Sequence, residues 1–241
     1  MKEALWLSAL SGLSSFLGVA AVLFFPRLSN RLIAAALSLS ATVMLLVALF
    51  DLLPTAVRVR ASFVHVGLGM AAALLVMLSI HYLLERADSP DTDAARFGRL
   101  GWYLAVAIIA HNVPEGMAIG IGYGTERELG LTLAMAMAIH NIPEGVGMAA
   151  PLLASGRSVI SVLGISLLAG GALPFGTWFG LRFLLHSPDA VAAGLFFAST
   201  TMIWVVTMEV MPRALEIQRR SAWIGLVLGG VLAWGIHLFH G

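Results

Sequence analysis

The chain has 241 residues, of which 59% are apolar and 11% are charged, and its mean hydropathy is +0.93. Soluble domains carry about 25% charged residues, so this composition indicates an integral membrane protein surrounded by a lipid bilayer. A formal net charge of +1 gives no basis for a nucleic-acid partner. The chain has no cysteine, which excludes disulfides, thiolate metal ligands and thiol redox chemistry.

Apolar runs long enough to cross a bilayer as helices follow one another along the chain. The first run follows residues 1–3 without a convincing cleavage site, so we predict a first span and not a signal peptide. The segment 85–99 is the one substantial polar linker that we expect. We predict an all-α protein in which residues 1–241 form a single polytopic domain with eight membrane-spanning helices. The predicted spans are about 4–25, 31–57, 62–84, 100–123, 129–153, 158–185, 189–211 and 221–240.

The distribution of arginine and lysine between the loops predicts the orientation of the chain. An even number of spans places both termini on the same side of the membrane. The loops after the odd-numbered spans hold nine arginines and lysines, and the opposite face, which includes the termini, holds five. Because cytoplasmic loops carry the excess, we predict that both termini lie outside the cytoplasm and that the protein is in the inner (plasma) membrane.

The strongest signal in the sequence is a hexapeptide that occurs twice, 29 residues apart. Residues 111–116 read His-Asn-Val-Pro-Glu-Gly, and residues 140–145 read His-Asn-Ile-Pro-Glu-Gly. In each copy a histidine and a glutamate are four residues apart and would share one face of a helix. Ionisable groups at membrane depth face the protein interior and commonly mark an ion or substrate path. We therefore predict a metal or proton site whose first candidate residues are His111, Glu115, His140 and Glu144.

Each hexapeptide also carries a proline, which removes one backbone N–H from its helix. Pro114 and Pro143 would each leave the carbonyl four residues earlier without its helical partner. Two facing helices would then offer imidazoles, carboxylates, the amides of Asn112 and Asn141 and free carbonyls to a divalent transition metal. A single copy would be explained by a satisfied core histidine or a simple kink, but two nearly identical copies are hard to explain by packing alone.

Other polar residues within the spans are weaker candidates. Met44 and Asp51 share one face of the second span, about 10 Å apart along its axis. On spacing alone, Met44 is explained by packing at least as well as by metal binding. Asp51 and Glu209 either line a transport path or are solvated near helix ends. The remaining histidines, which we do not assign to the site, are His65, His81, His186, His237 and His240.

Three functions are open on these residues. A divalent-metal transporter must bind and release its ion, and mixed His and Glu ligands suit that need better than a closed thiolate cage. The alternative is an intramembrane metal-dependent hydrolase, which needs an open coordination position and a general base, often in a His-Glu-x-x-His motif that is absent here. A proton-coupled carrier of organic solutes would need a substrate pocket that the sequence does not indicate. We predict the transporter, with no enzymatic activity and no prosthetic group.

The chain resembles the ZIP (Zrt-/Irt-like protein) family of divalent-metal transporters and is most similar to its bacterial branch with a short central loop. The two hexapeptides carry the resemblance, and the segments 44–54, 148–152 and 209–212 support it. The resemblance implies eight helices in a 3+2+3 arrangement, with spans 1–3 and 6–8 related as an inverted repeat. It also implies a homodimer that takes up zinc, or the related metals iron, manganese, cobalt and cadmium, by an elevator-like movement of spans 1, 4, 5 and 6.

The resemblance further implies roles for single residues. It places the histidines and glutamates of the two hexapeptides on the primary metal, with the methionine of the second span, here Met44, approaching it. In some members the asparagine matched by Asn112 serves an adjacent second metal, and Asn141 stands at the equivalent position of span 5. Members with that second metal carry a glutamate where this chain has Leu173, before Pro174. We therefore predict one ion per protomer. The linker 85–99 also lacks the histidines found in the central loop of many members.

Overall fold

The computed structural model describes residues 1–24, 29–85 and 92–238. Every regular element within these ranges is helical and none is a strand, which confirms the all-α prediction. The α-helices are α1 Lys2–Leu13, α2 Ser15–Phe24, α3 Asn30–Val47, α4 Leu53–Arg58, α5 Phe63–Glu85, α6 Asp93–Thr125, α7 Arg127–Ala154, α8 Val159–Phe179, α9 Pro188–Trp204 and α10 Met211–Leu238, and π-helical turns occupy Ala48–Leu52, Gly180–Leu184 and Val205–Val210.

Six helical stretches in the described residues are long and apolar enough to cross a membrane, by length and composition. α7 is 28 residues long but is not one of the six. The last stretch is 48 residues long and is interrupted by non-helical backbone at Gln218 (φ −163°, ψ 98°). The chain is therefore a multi-pass α-helical membrane protein. The six stretches are Lys2–Phe24, Asn30–Arg58, Phe63–Leu83, Phe97–Thr125, Val159–Leu184 and Pro188–Gly235.

The polar linker predicted over 85–99 is shorter than expected. α5 continues to Glu85 and α6 already begins at Asp93, after the Thr92 hydroxyl accepts a hydrogen bond from the N–H of Ala95 (3.2 Å). This is the usual cap of a helix start, and hydropathy misses it because the first two turns of α6 are polar. The linker residues 86–91 lie outside the described residues, as do the predicted ends of the first and eighth spans at 25 and 239–240.

α6 and α7 carry the two hexapeptides at the centre of the bundle and run antiparallel, joined by Glu126. Both helices continue through their prolines, Pro114 and Pro143, without a break. α8 packs along α6, and α1 and α2 pack along α7. α3 packs between α7 and α10, and α5 packs on α9. The hexapeptides are thereby enclosed by protein on both sides of the central pair.

The N-terminal and C-terminal thirds of the chain share features at a constant spacing of 158 residues. Ser29 and Ser187 cap α3 and α9, and their hydroxyls accept hydrogen bonds from the N–H three residues later, at 3.3 and 3.1 Å. The carboxylates of Asp51 and Glu209 stand at the same spacing. Identical residues at this spacing include Gly12 and Gly170, Gly18 and Gly176, Leu37 and Leu195, Met44 and Met202, and Pro54 and Pro212.

Two of the π-helical turns also follow this spacing. Ala48–Leu52 and Val205–Val210 both lie just before a proline, Pro54 in the first case and Pro212 in the second. Because proline has no N–H, the turn that precedes it loses one helical hydrogen bond and can widen. The two carboxylates at positions 51 and 209 therefore lie in equivalent widened turns.

Glycine allows equivalent close contacts on the two central helices. A side chain at Gly116 in α6 would overlap the carbonyl of Leu173 in α8, and one at Gly145 in α7 would overlap the carbonyl of Ser15 in α2. Glycine has no Cβ, so each pair of backbones can touch. The glycines are 29 residues apart and their partners are 158 residues apart, so the two contacts correspond to each other across the central pair.

Candidate metal site

The four ionisable side chains of the hexapeptides form two crosswise pairs between α6 and α7. His111 Nε2 lies 3.4 Å from Glu144 Oε1, and His140 Nε2 lies 3.4 Å from Glu115 Oε1. Each histidine thus pairs with the glutamate of the other helix, not with the one four residues along its own. All four side chains are buried. The fold therefore brings together the four residues that the sequence selects as candidate ligands.

The two glutamates differ in their remaining partners. Glu144 Oε1 accepts a hydrogen bond from the Ser40 hydroxyl on α3 (3.2 Å). Among the described residues, Glu144 Oε2 and both oxygens of Glu115 have no hydrogen-bond partner. Both histidines approach their glutamates within ion-pair distance, but neither approach has hydrogen-bond geometry. Because a buried carboxylate oxygen without a partner is costly, these oxygens are the ones most available to a cation.

The two asparagines hold their amides in the same way. Asn112 Nδ2 donates to the carbonyl of Ala169 (2.8 Å), and Asn141 Nδ2 donates to the carbonyl of Ser11 (3.0 Å). The two acceptors are again 158 residues apart. Each bond leaves a buried Asn Oδ1 that has no hydrogen-bond partner in the part of the chain that the structure describes. Each hexapeptide therefore presents one neutral oxygen beside its histidine.

The packing of α3 against α7 sets the depth of Met44 along the central helices. Two contacts define an antiparallel register between these helices: Leu37 fills the space beside Gly147, and Ser40 bonds to Glu144. This register sets Met44, one turn after Ser40, level with His140. Met44 is fully buried. Its thioether therefore lies at the depth of the crosswise pairs.

The candidate donors at this depth are two imidazoles and two carboxylates in pairs, together with two amide oxygens and one thioether. Nitrogen and oxygen donors of this kind suit borderline divalent ions of the first transition row. Within residues 1–24, 29–85 and 92–238, no three His, Asp or Glu side chains are gathered in a geometry that could hold a metal. The histidines and glutamates instead lie in two pairs at ion-pair distance, without hydrogen-bond geometry.

Asp51 and Glu209, the candidates for a transport path, are not part of the crosswise pairs. Glu209 is 5% exposed, and its Oε1 lies 2.9 Å from Nδ1 of His81 on α5. Asp51 is partly buried and lines a cavity of about 120 Å³ between α3 and α10. The expectation that Glu209 lies near a helix end was wrong, because helical backbone continues to Ile217, whereas Asp51 lies two turns before Arg58, close to the predicted end of its span at 57.

His81, which the sequence does not assign to the site, is joined by the fold to Glu209. The hydroxyl of Tyr103 on α6 lies 3.5 Å from the same ring nitrogen, and the guanidinium of Arg213 lies 5.0 Å from the centre of the Tyr103 ring. This group links α5, α6 and α10. An ionisable residue within an apolar helix needs a polar partner. Glu209 in the seventh predicted span is therefore the feature of the sequence that indicates a partner on another helix.

A cavity of about 700 Å³ opens near one end of the central helices. It reaches Gly147, three residues beyond Glu144, and Leu104, two turns before His111. Asn30 and Glu216 are polar residues of its lining. Its lining comes from the ends of helices that lead into the arginine-rich loops, so the cavity lies between the central helices and that face of the protein, and none of the four paired side chains lines it.

Comparisons with known proteins identify the family. The family model described as ZIP Zinc transporter matches residues 81–237. A zinc transporter ZupT from Enterobacter sp. strain 638 is 34% identical over 252 residues, covering 99% of this chain and 96% of its own. Those from Escherichia fergusonii (33% over 252 residues, covering 99% and 96%) and Chlorobium luteolum (32% over 250 residues, covering 95% and 94%) are similar to the same extent. The chain therefore belongs to the bacterial ZIP family and is a transporter, not an enzyme, which excludes the hydrolase alternative.

Proposed function

We propose that this protein takes up divalent metal, zinc foremost, into the cytoplasm through a site formed by His111, Glu115, His140 and Glu144. The observation that carries the proposal is the crosswise pairing of two imidazoles with two carboxylates, all buried where α6 and α7 meet. Buried ionisable groups in a membrane protein are costly and are therefore expected to serve its function. Membership of a zinc-transporter family supports a metal ion as the cargo.

The charges of these groups suit one divalent ion. Glu115 and Glu144 together carry two negative charges when both are ionised, which balance one ion of charge +2. Both crosswise pairs are long, at 3.4 Å, and leave carboxylate oxygens without a hydrogen-bond partner among the described residues. A cation can therefore compete with the pairs for the same nitrogens and oxygens. When the ion leaves, the pairs can form again, and this supports release as well as binding.

The remaining members of the proposed ligand set are Met44, Asn112 and Asn141. Zinc, iron(II), manganese, cobalt and cadmium all accept nitrogen and oxygen donors, and the thioether of Met44 adds a softer one. The metal is the transported substrate, and the proposal includes no prosthetic group. Asp51 and Glu209 are proposed to lie along the path of the ion, in the two equivalent π-helical turns.

We also propose eight membrane spans in a 3+2+3 arrangement. The non-helical backbone at Gln218 would divide the stretch Pro188–Gly235 into the seventh and eighth spans, and α7, with 28 residues, is long enough to be the fifth. The spacing of 158 residues and the matched contacts of Gly116 and Gly145 support an inverted relation between spans 1–3 and 6–8.

In this arrangement the cavity of about 700 Å³ would be the exit to the cytoplasm. It opens on the face whose loops hold nine of the fourteen arginines and lysines, and positive loops are cytoplasmic. Both termini would then lie outside the cytoplasm. Asn30 and Glu216 would be oxygen donors on the way out.

The family resemblance adds a homodimer and an elevator-like movement of spans 1, 4, 5 and 6 to the proposal. The close packing of α1, α2, α6, α7 and α8 around the hexapeptides supports a single moving unit. α5 packs on α9 and exposes large apolar side chains such as Phe63, Leu68, Leu75 and Leu83, so its outer face is available to lipid or to a second protomer.

Metal flux through the purified protein in lipid vesicles tests the proposal. We expect zinc to move down its gradient at controlled pH and voltage, with iron(II), manganese, cobalt and cadmium carried to different extents. The Glu144→Ala variant, incorporated to the same level, should carry none of them. A folded wild-type protein that moves none of the five metals would overturn the proposal.

The orientation can be tested separately because the chain has no cysteine. Thr92 precedes α6 and Glu126 follows it, and both are exposed. With an impermeant thiol reagent added outside intact cells, we expect Glu126→Cys to be labelled and Thr92→Cys to be protected. Labelling of the cysteine at position 92 alone would show that the orientation is inverted.

A further inference from the structure

Ser40 differs from the other hydroxyl residues around it on α3. Ser38 donates to the carbonyl of Ala34 (3.0 Å), and Thr42 donates to the carbonyl of Ser38 (2.8 Å), so both hydroxyls are satisfied within their own helix. Ser40 is fully buried as well, but its hydroxyl donates to Oε1 of Glu144 on α7. Its side chain is therefore committed to one of the two carboxylates that the proposed transport site depends on.

The other carboxylate has no such partner. The residue 158 positions after Ser40 is Ala198, which is fully buried and has no hydroxyl. Both oxygens of Glu115 are without a hydrogen-bond partner in the described ranges, whereas only Oε2 of Glu144 is. The difference in sequence between the two repeats thus coincides with a difference in the number of oxygens that each glutamate leaves open.

We propose that Ser40 is a specificity-determining residue of the transport site, because its hydroxyl holds Oε1 of Glu144 and leaves Oε2 as the oxygen offered to the metal. The inference rests on the proposed function. Ser40 itself does not bind the ion in this proposal; it acts through Glu144 as a positioning residue. Glu115, without a hydroxyl partner, stays able to offer either oxygen or both.

The consequence is a preference among ions of equal charge. A carboxylate that offers one oxygen suits a small ion with few ligands, such as zinc, which is commonly four-coordinate. A carboxylate that offers both oxygens suits a larger ion with more ligands, as bidentate ligation of large cations shows. Ser40 would therefore favour zinc over cadmium, which has the same charge and a larger radius.

The experiment compares cadmium and zinc flux, as the ratio of their Vmax/KM values, in vesicles that contain the full-length protein. For Ser40→Ala we expect the cadmium-to-zinc ratio to rise about fivefold, the effect of losing one hydrogen bond of ordinary net strength. Ser40→Thr keeps the hydroxyl, so this variant should show the same cadmium-to-zinc ratio as the wild type. Ser38→Ala is the matched control, since it removes a buried hydroxyl of the same helix that bonds only to the backbone of that helix.

Ala198→Ser is the reciprocal variant and does not depend on the folding of Ser40→Ala. A hydroxyl there would restrict Glu115 as Ser40 restricts Glu144, so the cadmium-to-zinc ratio should fall below the wild-type value. An unchanged ratio in both Ser40→Ala and Ala198→Ser, in proteins that still carry zinc, would overturn the role of Ser40 and leave the proposed function intact. A wild-type protein that carries neither metal would overturn the proposed function instead.

Discussion

The two central helices make equivalent contacts with the helices that surround them, and the differences discussed below are in polar side chains of those surrounding helices. α6 rests on α8 through Gly116 and Asn112, and α7 rests on α1 and α2 through Gly145 and Asn141. These contacts reach backbone carbonyls on the partner helices, so they do not depend on the side chain at the contacted position. Backbone packing is thus kept in both halves even where the side chains of the partner helices have changed.

Two substitutions between the halves change the polar contacts around the central pair. Ser40 in α3 corresponds to Ala198 in α9, and Ser15 in α2 corresponds to Leu173 in α8. The first difference gives only Glu144 a hydroxyl partner. In the second, Ser15 bonds to Ser166 across the helices (3.1 Å), while Leu173 is fully buried and apolar. The comparison indicates a symmetric framework around a site whose electrostatics are not symmetric.

The largest effect is expected from removing either carboxylate. Glu115→Ala or Glu144→Ala would leave a buried divalent ion with one negative charge, and losing one partner of a buried ionic contact costs about 3–5 kcal/mol, more than a hundredfold in flux. Transport should therefore be abolished in both variants while the protein still folds. Zinc uptake into vesicles measures this.

The control for these variants is Glu128→Ala, which removes an exposed carboxylate in the first turn of α7. It should transport zinc as the wild type does. Near-normal zinc flux in both glutamate variants would refute the assignment of the site. If one variant alone kept its flux, the two hexapeptides would contribute unequally to zinc transport.

The next effect tests whether the close backbone contacts are equivalent. Gly116→Val and Gly145→Val would place a branched side chain against the carbonyls of Leu173 and Ser15, and overpacking of this kind costs about 1–3 kcal/mol. We expect both to lower the thermal unfolding temperature in detergent by similar amounts. Gly171→Val is the matched control, since a side chain there meets nothing within 4 Å. If only one of the two valine variants were destabilised, the backbone contacts of Gly116 and Gly145 would not be equivalent.

Smaller effects are expected from the histidines. His111→Ala and His140→Ala remove a neutral ligand and keep the two negative charges, so zinc flux should fall about tenfold, as for the loss of about 1.4 kcal/mol of binding. The order of metals carried should also change, because the loss of a nitrogen donor favours ions that prefer oxygen. His186→Ala changes an exposed histidine in the turn before α9 that contacts the backbone carbonyl of Arg182, and it should alter neither property.

Much of this site is predictable from sequence, because the duplicated hexapeptide contains all four side chains that pair in the structure. His111 and Glu144 need only to lie on facing helices to meet, and the apolar runs predict those helices. What the sequence could not show is the crosswise pairing, since spacing of four residues favours the pair within one helix equally well. The pairing depends on the rotation of α6 against α7, which is fixed by contacts from other helices.

The residues that sequence reasoning missed are those whose role depends on a distant partner. Ser40 is an ordinary small residue of an apolar helix until Glu144 is placed beside it. His81 finds its partner 128 residues later in Glu209. Ser40 was accessible in principle through the spacing of 158 residues, which sets it against Ala198, but the same spacing gives no indication of His81. A comparison of the chain with itself would have shown where the halves differ.

The smallest effect concerns a second ion, which would lie near Leu173, where the other half of the chain has Ser15. We predict one tightly held divalent ion per protomer, because two ions about 4 Å apart repel each other by about 15 kcal/mol even at an effective dielectric constant near 20. Glu115 and Glu144 balance only one of them. Asn112 and Asn141 add neutral oxygens, and Leu173, beside Gly116, adds no charge.

Leu173→Glu would place a third carboxylate at that position and should create a weak second site, occupied only at high zinc concentration because the new side chain must be buried. Calorimetry would then give a second binding step in the variant and a single step in the wild type. Ser15→Glu changes the corresponding position of the other half. It would show whether a second ion binds only when the added carboxylate stands at position 173. Two tightly bound ions per protomer in the unmodified protein would contradict the prediction. A single step in the wild type would mean that one metal, balanced by two carboxylates, fills the tight site of each protomer.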